Sequence, residues 1–262
     1  MEIINVAAYK FVGIQDPSKW REAIRGKCVE QGLKGTILLA PEGINLFVAG
    51  ERDCVDNFLT FMRCNEDFGG RFTDLVVKES VSDKQPFRRM NVRLKKEIIT
   101  MKHPMISPEE FRAPAVDPRT LKTWLDQGHD DEGRLVVMLD TRNEYEIKIG
   151  TFEGAISLNI DTFGEFPQSW QHATTGDDSQ RFQNKTIVSF CTGGIRCEKA
   201  ALYMRETNFA NVVQLDGGIL RYFEEVGGAH WNGACFVFDK RGAVDTELKE
   251  CGRGEHSDPW WQ

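Results

Sequence analysis

Seven consecutive residues carry the strongest chemical signal in this chain: Cys191-Thr192-Gly193-Gly194-Ile195-Arg196-Cys197. They lie between the apolar run Thr186-Ile187-Val188-Ser189-Phe190 and the helix-like stretch Glu198-Lys199-Ala200-Ala201-Leu202-Tyr203-Met204. A buried strand is therefore expected to end on Cys191, turn through two glycines and enter a helix. In that geometry several backbone N–H groups, and the positive end of the helix dipole, converge on the sulfur. Both favour thiolate, the nucleophilic form of cysteine. Cys191 is thus the expected catalytic residue. Thr192, Gly193, Gly194, Ile195 and Arg196 form its loop, and Arg196 should lower the thiol pKa further. A free cysteine at a strand end is often inert core. Here a glycine pair, an arginine and a helix start all fall in register with it.

Four residues separate Cys191 from Arg196. A loop that wraps a phosphate in cysteine-dependent phosphatases is one residue longer; the shorter ring resembles the active loop of rhodanese domains, which is sized for a sulfur-sized group. Cys197 falls with Ala200, Ala201 and Met204 at i, i+3, i+4 and i+7. It is expected to face the sheet and pack, with a resolving role for an oxidised Cys191 as the alternative. Asp140 and Arg142 follow another apolar run, Leu135-Val136-Val137-Met138-Leu139. They are expected beside the active loop, where a carboxylate can orient an arginine or loop donors. The bland alternative is an exposed ion pair worth little.

The elements that must position these residues read as two domains. Residues 1–80 follow the order βαββαβ, the ferredoxin-like pattern. A strand at Val6–Phe11 precedes a helix opened by Asp16-Pro17 and closed near Gly32. A hairpin turns at Pro41-Glu42-Gly43, and a second helix carries Val55, Phe58, Leu59 and Met62 on one face. A last strand is expected at Leu75–Val77. Residues 81–118 are irregular, basic and punctuated by Pro86, Pro104, Pro108, Pro114 and Pro118, so they read as a linker. Over 119–230, strands alternate with helices, which predicts a parallel sheet covered on both faces. Chemistry gathers at the carboxyl ends of such strands, where Asp140, Arg142, Cys191 and Asp216 fall. Residues 231–262 are left as a C-terminal extension.

The chain has 262 residues, 40% hydrophobic and 28% charged, enough for two modest cores. No apolar run approaches the ~20 residues of a membrane span, so no membrane partner is expected. The first residues lack the basic start and apolar block of a signal peptide. Seven scattered cysteines do not make a disulfide framework. These features predict a reduced, cytoplasmic setting. Net charge is −7, yet residues 1–103 carry 17 Lys+Arg against 14 Asp+Glu, and the remainder 16 against 26. The basic excess lies in Lys78, Lys84, Arg88, Arg89, Arg93, Lys95, Lys96 and Lys102, opposed only by Glu79, Asp83 and Glu97. A local basic strip on an acidic protein can hold a phosphate backbone while net charge limits nonspecific binding. A solvated edge is the other reading.

Several blocks carry a resemblance. They are Lys34 to Asn45, Pro86-Phe87-Arg88-Arg89-Met90, Val92-Arg93-Leu94-Lys95-Lys96-Glu97, Asp140-Thr141-Arg142-Asn143, Ile149-Gly150-Thr151-Phe152, Cys191 to Ala200, Leu215-Asp216-Gly217-Gly218-Ile219, and Trp231 with Cys235-Phe236-Val237-Phe238-Asp239. The second domain resembles a rhodanese domain. The whole chain resembles the oxygen-dependent tRNA uridine(34) hydroxylase family. That resemblance implies an α/β chain with a ferredoxin-like domain followed by a rhodanese-like one. It also implies hydroxylation of the wobble uridine to 5-hydroxyuridine, Cys191 as the active cysteine, tRNA as the partner and molecular oxygen as co-substrate. No cofactor is evident: there is no flavin-binding Gly-rich fingerprint and no convincing 2-His-1-carboxylate set. The basic strip then becomes a tRNA contact, with Arg88, Arg89, Arg93, Lys95 and Lys96 as candidates and Phe87 as a stacking or packing residue. The chain departs from generic rhodaneses at Gly150-Thr151-Phe152-Glu153-Gly154-Ala155. Longer relatives have a cysteine-rich tail; here Cys235, Cys251 and His256 are too few and irregular for zinc, so no metal is expected. The competing activity is sulfur transfer through a Cys191 persulfide, and a non-catalytic tRNA-binding protein is a third reading.

Overall fold

The computed structural model describes residues 2–103, 106–175 and 177–252. Pro104, His256 and all of 253–262 lie outside the described residues. The chain divides into two compact units, one built from residues 2–98 with 238–242, the other from 99–237 with 243–252.

The first unit runs β1 (Ile3–Phe11), α1 (Pro17–Glu30), β2 (Lys34–Ala40), β3 (Gly43–Gly50), α2 (Arg52–Cys64), β4 (Val77–Ser82) and β5 (Met90–Leu94). The helix signals read from the sequence operate as expected. The Asp16 carboxylate accepts from the N–H groups of Ser18 and Lys19 at 3.1 and 3.3 Å, Pro17 takes the first turn, and Gly32 sits at φ 63° beyond the helix end. The sheet order is β4-β1-β3-β2-β5. Its first four strands pair antiparallel in the ferredoxin-like arrangement. Ile4, Val6, Ile37, Leu39, Ile44, Leu46 and Val48 form one core with Ile24, Cys28, Val55, Phe58 and Met62 of the helices. The fourth strand starts two residues later than expected, at Val77, because Leu75 is used in the core of the preceding turn.

The stretch expected as a linker is divided between the units. Residues 90–94 form the edge strand β5, parallel to β2. The ladder is extended by hydrogen bonds from Gly35 N–H to the Arg89 carbonyl (3.1 Å) and from Lys95 N–H to the Leu39 carbonyl (2.8 Å). Met90 and Val92 pack on the first core. Strand alternation therefore sends Asn91 and Arg93 to the opposite face. Residues 99–113 belong to the second unit. Met101, Ile106 and Ala113 are buried in its core, and the Lys199 ammonium donates to the Ile99 carbonyl at 2.9 Å. Composition read as loop; burial of a few apolar side chains decided otherwise.

The second unit contains β6 (Ala115–Val116), α3 (Pro118–Gln127), β7 (Val136–Asp140), α4 (Glu144–Ile147), β8 (Gly150–Phe152), β9 (Ile156–Ser157), α5 (Phe166–Thr174), β10 (Thr186–Phe190), α6 (Ile195–Glu206), β11 (Val212–Leu215), α7 (Gly218–Val226), β12 (Trp231–Gly233), β13 (Cys235–Phe236) and β14 (Ala243–Val244). The main sheet is parallel, ordered β6-β11-β10-β7-β9. One face packs on α5 and α6 through Phe166, Trp170, Ala200, Ala201 and Met204. The other packs on α3 and α7 through Leu121, Trp124, Ile219, Tyr222 and Phe223. Strand β10 is central and wholly buried, with Ile187 in the first of these layers and Val188 and Phe190 in the second. A continuous apolar run is what two covered faces require.

Residues 231–252 are divided between the two units. Trp231 lies edge-on to Phe152 (5.1 Å) and Phe223 (5.3 Å), and β12 pairs antiparallel with β8. In the first unit, Phe238 meets Phe47 and the Arg241 guanidinium donates to the Ser80 hydroxyl at 2.7 Å. Buried Arg241 is paired with Asp239 at 2.6 Å. A chain ended after His230 should therefore lose Trp231 and its core neighbours. Removal of one such aromatic costs roughly 3–5 kcal/mol. Thermal unfolding of this truncated chain should start far below that of the full chain; equal midpoints would show the segment to be a dispensable extension.

Candidate active site

Strand β10 delivers Cys191 to the carboxyl edge of the parallel sheet, and Gly194, at φ 100°, caps α6. Cys191 is completely buried. Its Sγ accepts from the Gly194 N–H at 3.2 Å, and the backbone N–H groups of Arg196 and Cys197 also point at it. Burial by itself raises the pKa of this thiol. The Cys197 thiol, the positive Arg196 side chain and the backbone N–H groups outweigh burial and lower the pKa to about 5. The expected thiolate cradle is therefore present, and the protein alone supplies its stabilisation.

Arg196 is itself buried and held as a fork on the Glu146 carboxylate. One nitrogen is hydrogen-bonded to Oε1, the other to Oε2 at 2.8 Å. A bidentate pair of this kind fixes the orientation of the guanidinium. Burial opposes its charge, but Glu146 holds Arg196 protonated well above its ordinary range. Glu146 also accepts from the Asn143 N–H (3.1 Å) and from the Thr192 hydroxyl (3.4 Å). One carboxylate thus ties α4 to the active loop. The sequence reading passed over Glu146. The Asn143…Glu146 spacing, that of a helix N-terminal capping pair directly after a strand-end motif, was the available signal.

Two further contacts hold the loop backbone. The Ile219 and Leu220 N–H groups donate to the carbonyls of Cys191 (3.0 Å) and Thr192 (3.1 Å). Gly218 makes this approach possible: at φ 68°, a Cβ there would lie 2.4 Å from the Cys191 carbonyl oxygen and 2.7 Å from the Gly194 nitrogen. The left-handed backbone alone would cost a side chain roughly 1–2 kcal/mol. By contrast, a Cβ on Gly193 would meet nothing within 4 Å. From the other side, Thr141 donates both its N–H (3.0 Å) and its hydroxyl (2.9 Å) to the Phe190 carbonyl.

Asp140 and Arg142 are buried together. Arg142 forks onto Asp140 at 2.9 and 2.6 Å, donates to the Gly150 carbonyl at 2.6 Å, and lies over the Trp231 ring at 5.4 Å. The Thr151 hydroxyl donates to Asp140 at 2.7 Å. This is a buried pair and not the exposed one weighed from the sequence. Burial opposes the charge on Arg142, but Asp140, with smaller effects of Cys235 and Glu146, holds it protonated above its ordinary range. Behind the loop, buried Cys235 faces the Thr192 hydroxyl, and burial pushes its thiol up to about 12. Cys251 is exposed.

Arg88, Arg89, Arg93, Lys95 and Lys96 are all exposed, on and beside the edge strand β5 of the first unit. Lys78 departs from the strip, being 8% exposed with its ammonium over the Tyr9 ring. The Phe87 N–H donates to the Gln85 side chain at 3.1 Å.

Comparison with known proteins agrees with this architecture. Residues 3–98 match the UPF0176 acylphosphatase like domain and residues 118–225 the Rhodanese-like domain. The tRNA uridine(34) hydroxylase of Burkholderia ambifaria is 59% identical over 249 residues, covering 95% of this chain and 86% of that protein. That of Burkholderia pseudomallei is 58% identical over 248 residues, covering 95% and 81%. The chain belongs to the tRNA uridine(34) hydroxylase family. Among the described residues, no helix is long and apolar enough to cross a membrane.

The arrangement predicts an acidic thiol. Ultraviolet thiolate absorption of the full chain, minus that of Cys191→Ala, should rise with a midpoint near pH 5. Since the folded pKa lies below the ordinary thiol value, the stabilisation of the fold by this anion is present above the unfolded thiol's pKa and lost as pH falls through about 5. A difference midpoint at the ordinary thiol pKa of ~8.5 would contradict the cradle.

Proposed function

We propose that this chain hydroxylates uridine 34 of tRNA to 5-hydroxyuridine, with molecular oxygen as co-substrate and Cys191 as the reacting thiol. The observation that carries the reading is a buried Cys191 held as thiolate on a loop clamped by Glu146 and Gly218, in a chain 59% identical to a tRNA uridine(34) hydroxylase. An already ionised sulfur needs no separate base to act as nucleophile. Asp140 and Arg142 keep the β7 end rigid beside Glu146 and so act on the loop indirectly.

The exposed basic residues of the first unit supply affinity for the tRNA backbone. Arg88, Arg89, Arg93, Lys95 and Lys96 stand on one sheet edge, where positive side chains both attract phosphates and discourage edge-to-edge strand pairing. Free cysteines throughout the chain fit a reduced, cytoplasmic setting.

Two measurements test this reading. Nucleoside mass spectrometry of tRNA from a deletion strain complemented with Cys191→Ala should lack 5-hydroxyuridine derivatives, while the variant protein remains folded. Loss of thiolated nucleosides instead would assign the loop to sulfur transfer, and intact modification would remove Cys191 from the chemistry. Reversing Arg88 and Arg89 to Glu should weaken tRNA binding and flatten its salt dependence, by about 0.7–0.9 in log–log slope per phosphate contact removed. An unchanged slope would place the contact surface elsewhere.

A further inference from the structure

Packed elements flank the active loop, and Gly193 marks where they leave it open. On the α7 side the approach is so close that a Cβ on Gly218 would meet the Cys191 carbonyl oxygen, the Gly194 nitrogen and the Gly193 carbonyl carbon at 2.4, 2.7 and 2.9 Å. On the α4 side Glu146 accepts from the Thr192 hydroxyl and the Arg196 guanidinium. Beneath, Thr141 donates to the Phe190 carbonyl at the end of β10. Cys191, Thr192, Gly194, Ile195, Arg196 and Cys197 are all buried. Gly193 differs. Among the described residues from 186 to 201 it alone is not buried, and a Cβ built on it would meet nothing within 4 Å.

The fold does not require glycine at this position. Gly194 and Gly218 adopt φ 100° and 68°, where a side chain is strained, but Gly193 has no positive φ. Alanine at such a position ordinarily stabilises a protein, because it restricts the unfolded chain. Neither backbone strain nor packing therefore accounts for the missing side chain. We propose that Gly193 is a specificity-determining residue, whose bare α-carbon leaves the opening through which the pyrimidine ring of an unpaired uridine reaches Cys191. The inference rests on the proposed hydroxylation of uridine 34 and names the face on which that base arrives.

The chemistry of the loop suits that occupant. Cys191 is completely buried, so a base must enter the site to meet its sulfur. Enzymes that act on a base take it out of the stack and into a fitted pocket. The loop cation, Arg196, is turned onto Glu146, and the ammonium of Lys199 donates to the Ile99 carbonyl. A neutral, flat ring therefore fits the opening better than an anion. A methyl group on Gly193 would project into the space that such a ring crosses. The basic residues proposed to hold the tRNA backbone lie in the other unit. A side chain on Gly193 should thus obstruct entry of the base and leave capture of the tRNA intact.

Two readouts on the full chain, Gly193→Ala and Gly193→Val test this, one of them without tRNA. Alkylation of Cys191 by iodoacetamide and by the bulkier N-phenylmaleimide is followed by mass spectrometry of the peptide that carries it. The ratio of the bulky to the small reagent's rate should fall in Gly193→Ala and fall further in Gly193→Val, with the thermal midpoint of Gly193→Ala no lower than that of the full chain. With tRNA, the dissociation constant should be unchanged. Hydroxylation of bound tRNA should drop roughly tenfold in Gly193→Ala and about a hundredfold in Gly193→Val, since a misplacement of about 1 Å can cost that much. Should Gly193→Val not fold, Gly193→Ser takes its place as the larger side chain. Equal reagent ratios in all proteins would overturn the opening. Equal losses in the smaller and larger variants would assign Gly193 to loop flexibility, and a lowered thermal midpoint in Gly193→Ala would assign it to the fold; either overturns the proposal. Graded reagent ratios in a chain that modifies no tRNA would instead overturn the base as occupant, through failure of the proposed reaction.

Discussion

A thiolate buried away from bulk solvent must draw its stabilisation from protein groups. Cys191 is that anion, and the geometry of the second unit follows from it. Burial raises the energy of the charged sulfur, so every element near the carboxyl edge of β10 contributes a donor or a charge, or holds one in place. Strand β10 brings the sulfur to the edge, α6 aims its first N–H groups at it, and Arg196 supplies the formal positive charge.

A buried arginine needs its own counter-charge, and this explains the prominence of Glu146. Removing one member of a buried pair typically costs 3–5 kcal/mol, because the remaining charge is stranded. The Arg196–Glu146 fork therefore sets the loop conformation as well as its potential. The same logic recurs one layer back in Asp140–Arg142 and, in the first unit, in Asp239–Arg241. Each is a short-range pair with the arginine two residues after the aspartate, and in each the aspartate also accepts from that arginine's own N–H. These pairs lock backbone turns that sequence composition alone would describe as polar loop.

The first unit has a different economy. Its core is apolar, and the surface proposed here to meet tRNA is an edge. Strand β5 buries Met90 and Val92 and leaves Arg93, with its basic neighbours, in solvent. A charged edge strand resists pairing with other chains and attracts polyanions by the same means. The excess of acid in the rest of the chain keeps that attraction local.

Much was determined by sequence alone, because some signals are local. The Asp16-Pro17 start, the buried strand before Cys191, the Gly193-Gly194 turn and the βαββαβ order each depend on residues a few positions apart, and all are seen as read. The acidic character of Cys191 followed from the same local geometry. Tertiary structure decided what depends on distant partners. Arg196 is fixed by a carboxylate 50 residues away, Gly218 is required because the Cys191 carbonyl approaches it, and Cys197 acquires a chemical neighbour in Thr141. The proline-rich stretch read as linker became an edge strand and part of a second core, and residues 231–252 became part of both units. Periodicity reports which face of an element is buried; it carries no information on which distant group that face will meet.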